Sequence, residues 1–172
     1  MKRIRGFTLI ELLTTVVIAT ILITVAVPGF RTMILNNRIT TASNSLVGFL
    51  NASRANAIRE GRKVTVCVDN SPGTLSCDGS NWASGWKLLV DRNGNGSVDN
   101  GEVVRSQNAM PDGITITASG FANSTFIQYL PNGMAGSSGD FTVCDSSRTG
   151  ESGVKISVGP TGQVLSSTVT CS

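Results

Sequence analysis

The sequence predicts an α+β protein in which a long N-terminal helix packs through its second half on a mostly antiparallel β head. Three observations carry that expectation. Phe7 to Val27 is a run of 21 residues with Glu11 as its only charge. Beyond it, Ile39, Ala42, Leu46, Phe49, Leu50 and Ala57 recur at steps of three and four, which is one face of a 3.6-period helix. After Gly61 the pattern turns to period two and to short β-branched runs separated by Gly, Asn, Asp and Ser. Aromatic residues make up only 5% and charged residues 15% of the 172, against 19 glycines. That composition suits a loop-rich β head better than a helical bundle. No internal repeat or low-complexity tract stands out.

The chain begins MKRIRGFTLIELL. At about 1.5 Å per residue the apolar run spans roughly 30 Å, the thickness of a hydrocarbon core. The basic stub Lys2, Arg3, Arg5 places the N-terminus on the cytoplasmic side and the remainder across the membrane. A carboxylate inside such a run costs roughly 2.5–3.5 kcal/mol even on lenient insertion scales, so Glu11 marks a function. An ordinary cleaved signal would carry its small residues after the apolar core. Here the candidate small residue, Gly6, precedes it, so cleavage there leaves the hydrophobic helix on the mature protein.

Pro28 and Gly29 are expected to kink the helix or melt it locally. Past them the amphipathic half keeps Arg38, Arg54 and Arg59 off its apolar face, with Ser53 filling the remaining slot, and Gly61 supplies the stop. The organisation is therefore a leader over 1–6, a membrane or filament-core helix over 7–30, an amphipathic helix over 31–61 and a β head over 62–172. Strands are predicted at Val64–Val68, Trp86–Val90, Val103–Ser106, Ile114–Thr117, Thr125–Leu130, Phe141–Cys144, Val154–Val158 and Val164–Ser166, with the longest irregular piece between Asn70 and Gly85.

Charge is unevenly spread. Arg31, Arg38, Arg54, Arg59, Arg62 and Lys63 face one acid, Glu60, in the helical stretch. From Val64 onward five bases meet nine acids, so the head is acidic. The four cysteines, Cys67, Cys77, Cys144 and Cys171, form no CxxC pair, and there is no histidine. That excludes zinc-type spacing, a Ser-His-Asp triad and a Cys-His couple. No Gly-rich phosphate loop follows a strand either. The sequence is not that of an enzyme. An even number of cysteines behind an export-type terminus implies two disulfides in an oxidising compartment.

MKRIRG followed by FTLIELL resembles the class III leader of type IV pilins and type II secretion pseudopilins. That resemblance implies cleavage between Gly6 and Phe7 by a prepilin peptidase and N-methylation of Phe7. It also implies that Glu11 neutralises the N-terminal amine of a neighbouring subunit, an exchange in which each charge relieves the other's desolvation. Farther on, the Cys67 strand, WKLLVDRNGNGSVDNGE, and Phe126…Pro131-Asn132-Gly133 ahead of Phe141-x-x-Cys144 are similar to the FimT/FimU and GspH-like (H-type) pseudopilin family. Two head disulfides look more like its pilus-tip FimU type, implying Cys67–Cys77 and Cys144–Cys171.

Family resemblance thus implies a structural minor pilin that assembles into the initiation and tip complex of a type IV pilus. Its partners would be the peptidase, other minor and major pilins, the inner-membrane assembly platform and the membrane itself. The location would be the inner membrane with the head in the periplasm, and then the pilus. The alternatives are an H-type pseudopilin of type II secretion and a FimT-like DNA-binding pilin. The DNA-binding type carries Gly-Arg-x-Arg where this chain reads Gly162-Gln163-Val164-Leu165. DNA is therefore not expected as a partner, with Arg148 as the best single phosphate contact. No cofactor is expected, with one reservation. Asp91 to Glu102 fits the twelve-residue calcium pattern through Asp91, Asn93, Asn95, Ser97, Asp99 and Glu102, although strand flanks and Asn-Gly pairs favour a plain hairpin turn.

Overall fold

The computed structural model describes residues 7–69, 77, 79–95, 99 and 101–171, within which the side chains of Val25 and Pro28 are not described. Gly6 and Ser97, two of the residues singled out above, lie outside that set. The chain divides into two compact units after Asn37, seven residues beyond the boundary after residue 30 that the sequence suggested.

Helix α1 (Leu9–Glu60) contributes to both units and carries through Pro28 and Gly29 without an interruption of its helical structure. The expected local melting does not occur. Within the first unit four threonine hydroxyls are satisfied by the helix itself. Thr14, Thr15, Thr20 and Thr24 each donate a hydroxyl to a carbonyl three or four residues back. Such back-bonding removes hydroxyl donors from the surroundings, which an apolar medium requires. Every described side chain from Phe7 to Ile34 is exposed.

The second unit has a conventional interior. Among the described residues, eight strands form two four-stranded sheets. The first has the order β3 (Val103–Gln107), β2 (Trp86–Val90), β1 (Val64–Val68), β5 (Phe126–Tyr129). The second runs β4 (Ile114–Ser119), β6 (Gly139–Asp145), β7 (Ser152–Val158), β8 (Val164–Thr170). All the pairings are antiparallel. The strand limits follow the predicted ones within a few residues, except that β8 runs four residues farther. A 3₁₀ turn, Trp82–Ser84, interrupts the long connection before β2.

The apolar stripe of α1 becomes the centre of the core. Ile39, Ala42, Leu46, Phe49, Leu50 and Ala57 are all buried, and Ser53, buried among them, donates to the Phe49 carbonyl at 2.7 Å. Residues of both sheets complete one continuous cluster, including Val66, Trp86, Leu88, Ile127, Phe141 and Ile156. Phe49 meets Trp86 edge to face at 6.0 Å, and Trp82 meets Phe141 at 4.7 Å. Such edge contacts contribute about 0.5–1.5 kcal/mol beyond area burial.

Disulfides close two parts of this unit. Cys67 in β1 is bonded to Cys77, and Cys144 in β6 is bonded to Cys171 just after β8; no cysteine is free. A third closure is not covalent. Arg54 Nε, on α1, donates to the Gly133 carbonyl at 2.9 Å. Gly162, at φ +77° in the β7–β8 turn, approaches that same carbonyl so closely that a Cβ would collide with it. Glycine is required there on both counts.

Candidate functional site

Phe7 and Glu11 stand at the start of α1. Thr8 caps the helix: its carbonyl accepts from Leu12 N–H at 3.2 Å, and its hydroxyl accepts from Glu11 N–H at 3.3 Å. Glu11 therefore occupies the third helical position of a Thr-x-x-Glu start. That pattern is legible in TLIE as a capping-box signature, a signal the reading above did not use. Phe7, directly before the cap, is 79% exposed. Cleavage after Gly6 would leave an ammonium one residue ahead of a helix N-terminus, with the only carboxylate of the apolar segment one turn away. α1 is long and apolar enough to cross a membrane, and its most hydrophobic window has none of its residues buried.

The Asp91–Glu102 segment connects two paired strands, β2 and β3. Its carboxylates are already engaged. Asp91 accepts from Gly94 N–H, and Asp99 accepts the side-chain amides of Asn93 and Asn95, both at 2.7 Å. Those two amides hold the Asp99 carboxyl below its ordinary pKa. Glu102, 5% exposed, accepts from the backbone N–H groups of Arg92 and Asp99. Asn93 Oδ1 is turned to Asn95 N–H. This is a hairpin connection tied by its own side chains. Among the described residues no group of three or more His, Cys, Asp or Glu is placed to hold a metal.

Arg148 corrects an expectation. Ser-Ser-Arg-Thr-Gly reads as an exposed loop, yet the Arg148 side chain is 12% exposed and faces Asp145 at 4.0 Å and Glu151 at 3.9 Å. The buried Asp145 carboxylate organises this turn. It accepts from the Ser147 hydroxyl at 2.6 Å and from Ser147 N–H at 2.9 Å, bonds that hold its pKa below the usual carboxylate range. The Arg148 side chain is thus largely buried between two carboxylates and does not stand on the surface.

The head's other bases each have a neighbour within the head. Lys87, 2% exposed, pairs with Asp69 at 3.1 Å, and Lys155 pairs with Asp140 at 2.9 Å. Arg92 donates to the Gly101 carbonyl, and Arg105 lies 5.3 Å from the centre of the Phe49 ring. Of the helix bases, Arg54 lies off the buried apolar stripe, as expected, and is held at the Gly133 carbonyl. Among the described residues no arrangement suited to catalysis stands out. Burial pushes the Tyr129 phenol well above its usual pKa. Two open grooves border β4 and β5, lined by residues such as Asn81, Thr117, Asn123 and Gln128, and neither contains a titratable side chain. The exposed apolar face of residues 7–34 is thus the part of the molecule built to be covered by something else.

Comparison with known proteins agrees with that geometry. The family model for the type II transport protein GspH matches residues 42–162, and the model for the prokaryotic N-terminal methylation motif matches residues 1–27. The type IV minor pilin FimU of Pseudomonas aeruginosa superposes with a TM-score of 0.57 at 15% identity, covering 76% of this chain and 88% of that one. The minor pseudopilin EpsH of the Vibrio cholerae type 2 secretion system superposes at 0.54 with 11% identity, covering 75% and 95%. No curated protein sequence matches this chain. At these identities the solved structures speak for the fold alone.

Proposed function

The chain belongs to the GspH family, whose members are structural proteins and not enzymes, and from that premise we propose that it is a minor pilin of the complex that initiates and caps a type IV pilus. One observation carries the reading. An apolar helix exposed along its whole first half, beneath a matched methylation motif, has no use in a free monomer. In this reading the peptidase removes residues 1–6, Phe7 is methylated, and the helix holds the protein in the inner membrane with the head outside. Glu11 then meets the Phe7 ammonium of an adjacent subunit, and extraction transfers the helix from lipid to a filament core of other pilins. The energetic logic is conservation of burial, since either setting covers the same apolar surface.

The H-type pseudopilin reading is favoured by the GspH model itself. The pilus reading is supported by the two head disulfides, which resemble the FimU type. DNA reception finds no support in a head where nine acids outnumber five bases from Val64 onward. The Asp91–Glu102 loop acts in this reading as a turn, and millimolar calcium should leave thermal unfolding unchanged. Deleting the gene and scoring surface piliation, type II secretion and DNA uptake side by side tests the assignment. Loss of pili with normal secretion is expected; loss of secretion with normal pili would transfer the protein to the other machine.

A further inference from the structure

The two grooves beside β4 and β5 flank one loop, over residues 120–125. The β5 groove, of about 380 Å³, is lined by Ala122, Asn123, Phe126, Gln128, Gly136 and Ser137. On the other side of the loop, the β4 groove is completed by Ser80, Asn81 and Ser124. Neither lining carries a charge, and the chain around them is as bare. None of the head's five bases and nine acids falls among residues 113–139. This neutral stretch sets one face apart from an otherwise acidic head.

The β5 groove has firm walls. Trp82 Nε1 donates to the Ser124 carbonyl at 2.7 Å, and Val68 N–H donates to that of Thr125 at 3.1 Å. Asn123 Oδ1 accepts from Thr125 N–H at 2.8 Å and from the Thr125 hydroxyl at 2.7 Å, which locks the Asn123 side chain onto its own loop. The opposite wall is held by Gly136 N–H, which donates to the Gln128 carbonyl at 2.8 Å. Walls that are already ordered lose little entropy when a ligand arrives.

The groups these bonds leave over define what fits. Asn123 has committed its oxygen and keeps its Nδ2 group for another partner. Gln128 is the reverse: its Nε2 donates to the Thr65 hydroxyl at 3.1 Å, and its Oε1 remains an acceptor. Ser137 brings a hydroxyl, donor and acceptor at once. Phe126, half-buried, sets an aromatic ring beside them. An anion would find no base here, and a metal ion no carboxylate. A wholly apolar ligand would strand the amides without partners, which is costly. A polyol meets every requirement, because its hydroxyls both donate and accept while its C–H face covers the ring.

We propose that this groove binds a neutral saccharide, with the sugar ring against Phe126 and its hydroxyls on Asn123, Gln128 and Ser137. The site lies wholly within the second unit and uses no residue of the exposed helix.

Saturation-transfer NMR on the full chain decides the matter, in lauryldimethylamine oxide so that no detergent sugar competes. The neutral probes are maltose, lactose and diacetylchitobiose. Lactobionate and deacetylated chitobiose are charged counterparts of similar size. At least one neutral probe should bind with a Kd at or below about 1 mM, and both charged ones at least about tenfold more weakly. Asn123→Asp keeps the oxygen that caps the loop and removes the amide donor, so it should weaken that neutral sugar about tenfold. Phe126→Leu keeps apolar bulk, removes the ring, and should weaken it by a similar factor. Silence from all three neutral probes, equal binding of a charged one, or a Kd that either substitution leaves unmoved would each overturn the proposal. None of these outcomes bears on piliation or secretion, so the pilus assignment stands or falls separately.

Discussion

Residues 7–37 and residues 38–171 draw on the same apolar side chains and use them in opposite ways. Leu46 and Leu50 are fully buried, while Leu9 and Leu22, on the same helix, are 82% and 63% exposed. Nothing in the propensity of leucine distinguishes them. What differs is whether the chain supplies its own cover. The second part does, with two sheets, two disulfides and a core built around Phe49 and Trp86. The first part bonds its threonine hydroxyls within the helix and leaves its apolar surface exposed. One helix thus carries both a finished interior and an unfinished one.

That comparison can be broken most forcefully in the core. Phe49→Ala should cost the head about 3–5 kcal/mol, through lost burial and the cavity left against Trp86. The matching change Leu22→Ala should cost the head nothing measurable by near-UV circular dichroism in detergent. If both lower the unfolding midpoint alike, the division of labour is wrong.

The covalent part comes next. Replacing Cys144 and Cys171 together by serine should remove about 2–4 kcal/mol, because the bridge closes a long loop in the unfolded chain. Urea titration with and without reductant measures it.

Electrostatics sharpens the contrast on a smaller scale. Asp145→Ala should cost about 1–3 kcal/mol, since it strands the bonds donated by Ser147 and leaves Arg148 facing fewer carboxylates. The wild-type protein should show the same group on acidification. Hydrogen bonds from Ser157 and Lys155 lower the pKa of Asp140, and those from Ser147 lower that of Asp145. A depressed carboxylate contributes stability that is whole above its unfolded value, about 3.9, and is lost as pH falls through the folded one. The melting temperature should therefore hold level from neutral pH to about 5 and decline below about 4.

Glu11→Gln should have the smallest effect on the head, within about 0.5 kcal/mol, because no contact of the second unit depends on it. Its effect should lie wholly in assembly: membrane insertion retained, incorporation into filaments lost. Normal incorporation of the mutant would reduce Glu11 to the cap of its own helix.

Much of this was legible from the sequence, and the exceptions have physical causes. Helix and strands declared themselves because burial imposes a period on the residues that face it, as in Ile39 to Ala57. Beyond Ser166, β8 stayed hidden because Ser-Thr-Val-Thr at a sheet edge has little to bury, so its pattern carries no alternation. The two-sheet arrangement depends on β1 pairing with β5, sixty residues on, which no local signal encodes. Arg148 misled because its loop composition is that of an exposed turn, and only the flanking Asp145 and Glu151 draw it inward. The resemblance implies an assembly role for Glu11, while the bond from its N–H to the Thr8 hydroxyl is a capping signal carried by the same four letters, TLIE.

The meeting of Arg54, Gly133 and Gly162 has a kinetic consequence. β6, β7 and β8 are neighbours in sequence and can pair as soon as they exist, whereas the Arg54–Gly133 bond spans 79 residues. Contacts of such long range form late, because chain entropy must be spent before they repay it. The clasp should therefore be absent from the folding transition state and present only in the finished head. Weakening it by Arg54→Ala should leave the refolding rate nearly untouched and accelerate unfolding instead. For a domain pulled upon by whatever it is joined to, the rate of unfolding is the quantity that sets its working lifetime.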